Sequence, residues 1–410
     1  MKILNFGSCN IDFVYSMDHI VKIGETETTH KLETFPGGKG LNQSIALARA
    51  GAYVYHAGCI GNDGDMLLQV MVESGVDVSF IKKVDSKNGH AIIQVSAKGD
   101  NSIFLYPGSN EMISIEYIDS VLSHFSAGDI VLLQNEISNV DYIIDKAYEK
   151  GLQIVLNPSP FNEKISKTDL NKITYLVLNE VEAKEYTGYD HHDGMLNYFR
   201  NHYPNLKIML TLGENGCIYM DSEHEISHPV YNVVAVDTTA AGDTFTGYFI
   251  AGVSVTDDYF SILKTASCAA GISVSRNGAA PSIPCMSEVS LFMNTMDVKE
   301  NFKPGLKNKI EMYIQDNIAN ISLKGLADYL GYSAVYTGNL VKKFFKMSFS
   351  ELVKERRCQL AARLLSSTDL SVSKIVHKVG YENESFFRKI FTAKYGKKPL
   401  EYRKKINTQD

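Results

Sequence analysis

Downstream of Asp129, four short runs of β-forming residues, Ile130–Leu133, Gln153–Leu156, Tyr175–Leu178 and Lys207–Leu212, are separated by stretches of helical character. Neighbouring parallel strands need a crossover, and a crossover helix must bury its apolar stripe, so this alternation predicts a mostly parallel sheet covered by helices on both faces. The α/β class also places any site, because ligands in such sheets lie beyond the carboxyl ends of the strands. Each run is followed there by polar residues: Gln134-Asn135-Glu136, Asn157-Pro158-Ser159-Pro160, Asn179-Glu180-Val181-Glu182, and the Thr211–Gly216 turn. Any one of these is accounted for as a cap or turn. Four in register at strand ends point to a polar site.

The chain before Asp129 supplies further parts. Met1–Ser8 is an apolar run ended by Gly and Ser, too short for a signal peptide or a membrane span, and reads as the first strand. Asn10 and Asp12 alternate with apolar neighbours and so point the same way, as a turn motif or a ligand site would require. Gly37-Gly38-Lys39-Gly40-Leu41-Asn42 leads into a helical run, without the Walker spacing that a phosphate loop of that type needs. Thr28–Phe35 and His90–Tyr106 alternate polar and apolar residues and read as antiparallel strands standing off the main sheet.

Asp237–Phe245, with Ala240, Ala241 and Gly242, reads as a loop entering a helix whose small residues let backbone approach a ligand. Bare amides and the positive end of the helix dipole suit an anion there. Asp243, in the first turn, is either a helix cap or a base for an attacking hydroxyl.

The nonapeptide Asp237–Phe245, D-T-x-A-A-G-D-T-F, resembles the carboxy-terminal signature of the ribokinase-like (PfkB) carbohydrate kinases, ribokinase most of all. The Gly37–Asn42 turn and the Gly7–Asp12 block resemble that family's sugar-site motifs. The resemblance implies an ATP-dependent sugar kinase with a β lid that excludes water, two lids pairing in a homodimer. It makes Asp243 the catalytic base, and Ala240, Ala241 and Gly242 the anion hole. Asn10, Asp12, Gly38, Lys39, Gly40, Asn42 and Glu136, with Asp243, become sugar contacts. Asn179 and Glu182 match the N-x-x-E motif that organises Mg2+ and phosphate, while Thr211, Gly213, Gly216, Gly242 and Ser267 line the nucleotide. Asp237, Thr239, Ser273, Arg276, Gly278 and Ser282 fall in the loops that enclose a monovalent cation, K+ in the family.

Charge divides the chain. Residues 301–410 hold 21 Lys+Arg against 10 Asp+Glu, while residues 1–300 hold 20 against 37. An acidic body joined to a basic tail suggests an attached nucleic-acid module. After a stretch without periodicity, two similar units, Ile321–Phe345 and Leu370–Phe391, each read as helix, Gly turn, helix. From Ile310 to Arg403 the chain resembles the DNA-binding domain of the AraC/XylS regulators, the closing Phe386–Arg403 segment most specifically, with helix Glu351–Leu365 spacing the two readers. By that resemblance Thr337, Gly338, Asn339 and Lys342 face one groove, and Glu384, Ser385, Arg388 and Lys389 the other. Lys342, Lys343, Lys346 and Lys389 would meet phosphates, and Asn339 and Arg388 base edges.

The expected organisation is a kinase domain at 1–295, a linker at 296–308 and a DNA-binding domain at 309–406. Six scattered cysteines without C-x-x-C spacing, and no apolar stretch long enough for a membrane, indicate a reducing cytosol. The expected function is phosphorylation of a sugar, ribose at a primary hydroxyl, coupled to binding of double-stranded DNA and transcription regulation. Two rivals differ in class: a catalytically silent sugar sensor on a kinase fold, and an enzyme whose tail serves assembly alone.

Overall fold

The computed structural model describes residues 1–293, 309–310, 313–314, 317–368 and 370–406. The expected linker, 296–308, lies outside them. The chain divides into two compact units, the first covering 1–190 and 195–302 and the second 191–194 and 303–410.

Thirteen strands are described in the first unit: β1 (Ile3–Phe6), β2 (Asn10–Met17), β3 (Lys31–Gly37), β4 (Val54–Ile60), β5 (Asp77–Lys83), β6 (Gly89–Ser96), β7 (Asn101–Tyr106), β8 (Ile130–Gln134), β9 (Gln153–Asn157), β10 (Tyr175–Asn179), β11 (Lys207–Thr211), β12 (Cys217–Met220) and β13 (Glu225–His228). Nine form one sheet in the order β13-β12-β11-β10-β9-β8-β1-β4-β5. All four expected strand runs lie in it, side by side and parallel. Both faces are covered: Ile130 and Leu132 enter one buried cluster, and Val131 and Leu133 the other. That alternation is why these strands read as continuous apolar runs. The sheet is parallel except at one edge, where β12 and β13 pair antiparallel.

The remaining four strands make a second sheet, β3-β2-β6-β7. The expectation of an antiparallel lid is corrected in part: Asn10–Met17 is a full strand of this second sheet, and β2 pairs with β6 in parallel, although β2–β3 and β6–β7 are antiparallel. The chain crosses from the main sheet to the lid within Gly7-Ser8-Cys9, so Asn10 and Asp12 sit at the root of the lid.

The second unit is helical: Leu323–Leu330, Ala334–Phe345, Phe349–Ser367, Val372–Lys378, Glu384–Tyr395 and Pro399–Ile406. The first five of these helices start on side-chain caps, Ser322, Ser333, Ser348, Ser371 and Asn383, each accepting a backbone N–H of the first turn. Gly331 and Gly380, at φ 72° and 91°, make the two sharp turns. Leu326, Leu340, Val341 and Leu352 pack in one core, and Ala361, Ile375, Val376, Phe387 and Phe391 in another. The long helix Phe349–Ser367 contributes to both, which joins the two helix-turn-helix units through one rigid element.

Candidate functional site

Asp243 is 5% exposed in the first turn of helix Ala241–Val253. It is not the helix cap. Ala240 holds the N-cap position and offers no side-chain hydrogen bond, and the Asp243 carboxylate turns away to accept from two side-chain amides. Asn42 Nδ2 donates to Oδ2 at 3.0 Å, and Gln43 Nε2 to Oδ1 at 2.9 Å. Of the expected anion hole, Ala241 is corrected, because its amide donates to the Thr238 carbonyl at 3.2 Å, whereas the Gly242 and Asp243 amides have no acceptor among the described residues. A buried carboxylate thus stands beside free backbone donors at a positive helix end, the geometry of a proton acceptor next to an anion hole.

Gln43 was not singled out by the motifs, yet it is the hub of this arrangement. Its Nε2 also donates to Asn157 Oδ1 at 3.1 Å, and its Oε1 accepts from Gln134 Nε2 at 2.7 Å. Gln134 in turn donates to Asn5 Oδ1 at 3.0 Å, and Asn5 to the Gly40 carbonyl at 2.7 Å. Asn5, Gln43 and Gln134 are fully buried. Such a chain of paired amides fixes each member's orientation.

Around Asp243 the expected sugar contacts converge. Gly38, at φ 92°, turns the chain into helix Lys39–Arg49, and a Cβ on Gly40 would lie 2.3 Å from the Ser8 backbone nitrogen. Glu136 Oε2 accepts from Ser8 Oγ at 2.5 Å and from the Lys39 amide at 3.0 Å. Asn10 Oδ1 accepts from Asn110 Nδ2 at 2.7 Å. Asn42 Oδ1 is buried and accepts nothing, an open acceptor for a ligand hydroxyl. Burial, then the charges of Glu136 and Asp243, pushes Asp12 up to about 7. Burial works against the Lys39 ammonium, but Asp243, Glu136 and Glu182 outweigh it and hold its pKa above the usual value.

On the other side of the helix start lies a cavity of about 420 Å3. Asn179, Thr211, Gly213, Gly216, Gly242 and Ser267 all line it, with Tyr231, Val233 and Phe245 supplying apolar wall. Its size and lining fit a nucleotide base and sugar. The space a Cβ would take at Gly242 is empty, so backbone is bared to whatever enters. Asn179 and Glu182 form a capping box: Asn179 Oδ1 accepts from the Val181 and Glu182 amides, and Glu182 Oε2 from the Asn179 amide at 3.0 Å. Glu182 is buried and has a second oxygen left, a hard donor compatible with a hydrated divalent cation.

The expected monovalent-cation residues divide. Asp237 accepts from the Thr239 amide and hydroxyl at 2.9 and 2.5 Å and from the Gly278 amide at 3.0 Å, which ties the two loops together. Against the pull of burial, those hydrogen bonds hold its pKa below the carboxylate range. Ser273 and Ser282 are buried with their hydroxyls 2.8 Å apart. The Arg276 guanidinium is positively charged and lies 2.5 Å from Glu288, which leaves its backbone carbonyl as the oxygen it could offer a cation.

In the second unit, Asn339, Lys342 and Lys343 are exposed on helix Ala334–Phe345, and Ser385, Arg388 and Lys389 on helix Glu384–Tyr395. Thr337 is corrected: it is fully buried beside Leu340 and Val341, so it cannot reach a base. Arg388 is held by Glu384 through Nε at 3.0 Å and Nη2 at 2.5 Å, so both side chains are engaged with each other.

The family model for pfkB family carbohydrate kinases matches residues 1–286, and that for a helix-turn-helix domain matches residues 326–405. Ribokinase of Bacillus subtilis (strain 168) is 34% identical over 291 residues, 69% of this chain and 96% of that protein. Deoxyribokinase of Salmonella typhi is 29% identical over 304 residues, 72% of this chain and 99% of its own. The crystal structure of ribokinase from Cryptococcus neoformans var. grubii serotype A in complex with ADP superposes with a TM-score of 0.63 at 32% identity, covering 71% of this chain and 99% of that one. Carboxylate, bared helix start and cavity, together with these matches, establish that the chain belongs to the pfkB family of carbohydrate kinases, as a ribokinase-like sugar kinase followed by an AraC/XylS-type helix-turn-helix domain.

Proposed function

We propose that the first unit transfers the γ-phosphoryl group of ATP to the primary hydroxyl of ribose, and that the second places the same chain on specific DNA to regulate transcription. The observation that carries the catalytic half is Asp243, buried, uncapping, and clamped by Asn42 and Gln43 beside two free amides. Asp243 takes the hydroxyl proton as the sugar oxygen forms its bond to γ-phosphorus, the bond to the ADP oxygen breaks, and the Gly242 and Asp243 amides receive the charge that builds on the phosphoryl oxygens. Asn10, Asp12 and Asn42 hold the other hydroxyls.

Mg2+ on the phosphates would neutralise charge in transfer, with Glu182 and Asn179 shaping its surroundings. A K+ ion would be held by backbone and hydroxyl oxygens near Asp237, Ser273 and Ser282, behind the anion hole. A homodimer through the lids is supported by edge strand β7, where Ile103, Phe104, Leu105 and Tyr106 are each 50% exposed or more. Among the described residues no helix is long and apolar enough to cross a membrane, and with all six cysteines free we place the protein in the cytosol. Functional boundaries at 1–295, 296–308 and 309–406 complete the proposal.

The test is ADP release by the purified protein against a panel of pentoses and hexoses, ribose and deoxyribose included, with Asp243→Asn as control. Turnover dependent on ribose that collapses in the variant supports the reading. Sugar binding with turnover no higher than the variant's background would replace it with a silent sugar sensor.

A further inference from the structure

We propose that each recognition helix reads a thymine through an exposed aromatic side chain at its third residue, Tyr336 in the first unit and Phe386 in the second. This rests on the DNA-binding reading of that part of the chain and adds which base chemistry it selects.

The two positions are equivalent by construction. Ser333 Oγ accepts from the Tyr336 amide at 3.2 Å, and Asn383 Oδ1 from the Phe386 amide at 3.0 Å, so each aromatic closes the cap of its helix. The next residue, Thr337 or Phe387, is fully buried, which fixes the rotation of each helix and turns the aromatic outward. Tyr336 is 50% exposed and Phe386 55%. Neither ring is loose. Tyr332, just after the Gly331 turn, meets Tyr336 edge-on at 5.1 Å, and Tyr381, just after the Gly380 turn, meets Phe386 edge-on at 6.2 Å. Core packing explains an aromatic once its ring is covered; it does not explain half-exposed rings, each met edge-on by a second aromatic, at the same position of both units.

The occupant is set by what surrounds them. Lys342 and Lys343 follow on the first helix and Lys389 on the second, all exposed, within a segment whose basic residues outnumber acidic ones by about two to one. That charge suits a polyanion. The first residues of a recognition helix are those that meet base edges in the major groove, where an apolar side chain finds one apolar feature, the thymine C5-methyl.

The experiment uses the full chain. Duplexes bound by the protein are enriched from a random-sequence pool, and each thymine of the recovered site is then replaced singly by deoxyuridine, which removes the methyl and keeps the hydrogen-bonding edge. We expect two positions at which the wild-type protein loses about fourfold in affinity, the effect of one methyl-sized apolar group. Tyr336→Ala should abolish the thymine–deoxyuridine difference at one of them and Phe386→Ala at the other, while leucine at either position restores part of it. A wild-type protein indifferent to every replacement would overturn the inference, and so would variants that discriminate as the wild type does. Failure to enrich any duplex would instead refute the DNA-binding reading beneath it.

Discussion

Gln43→Leu separates a base that is merely present from one that is held. Leucine keeps much of the volume in the buried space but removes the donor 2.9 Å from Asp243 Oδ1 and the donor 3.1 Å from Asn157 Oδ1. Gln134 keeps its bond to Asn5 at 3.0 Å, so the deeper end of the amide chain survives. A hydrogen bond to a charged group contributes about 1.5–3 kcal/mol. Lost from the orientation of the base in the transition state, that is about 10- to 150-fold in kcat. ADP release at saturating ATP and sugar should fall by that factor with both KM values little changed, and the buried Asn157 oxygen left unpaired should lower the melting temperature. A kcat within about threefold of wild type, in a protein with native circular dichroism, would refute the reasoning, since Asn42 would then suffice to position Asp243.

Asp12, pushed up to about 7 by burial and then by its carboxylate neighbours, loses its charge as pH falls through that value, so the sugar KM should rise between pH 8 and 6. The raised pKa also means that the native state loses stability as pH climbs from the unfolded value toward 7, so Asp12→Asn should melt higher than wild type at pH 8 and flatten the KM profile. Gly40→Ala drives a Cβ into the Ser8 nitrogen at 2.3 Å and the Gly7 carbonyl carbon at 2.5 Å, both backbone, and should lower the melting temperature and abolish turnover. Gly338→Ala meets only Leu323 Cδ2 at 3.8 Å, so it should stabilise the second unit by about 1 kcal/mol in denaturant titration. Lys342→Ala with Lys343→Ala should weaken all duplexes alike and reduce the slope of log affinity against log salt by about 2.

Much of the site was legible because loops must be made of particular residues. The Asp237–Phe245 stretch could only be a backbone approach followed by a helix, and the polar residues after β8–β11 fall at strand ends because apolar strand interiors leave them nowhere else. What escaped notice did so for physical reasons. Gln43 sits beside Asn42 in a helix start, and nothing in an amide's identity says whether it faces water or a carboxylate 200 positions away. The parallel pairing of β2 with β6 brings together segments with no local signal of register. Thr337 carried a signal that deserved weight: with Leu340, Val341 and Phe344 it completes an i, i+3, i+4, i+7 face, which places it inward. Asn179 and Glu182 show that one pair can satisfy two readings, since the same spacing builds a helix cap and sets a carboxylate near Lys39.

The bonds from Asn42 and Gln43 to Asp243 span 201 and 200 positions of the chain. At a synthesis rate of about 5–20 residues per second, the clamp leaves the ribosome roughly 10–40 s before the carboxylate it will hold. During that interval the strands from β4 through β13 emerge, while the part of the sheet face that receives helix Ala241–Val253 stays bare. Gly247 lets that helix seat directly on Ala46, where a Cβ would come within 2.4 Å. Its arrival closes the amide chain, delivers the base and bares the anion hole in a single docking event. A chain interrupted before that helix therefore has neither the base nor the anion hole.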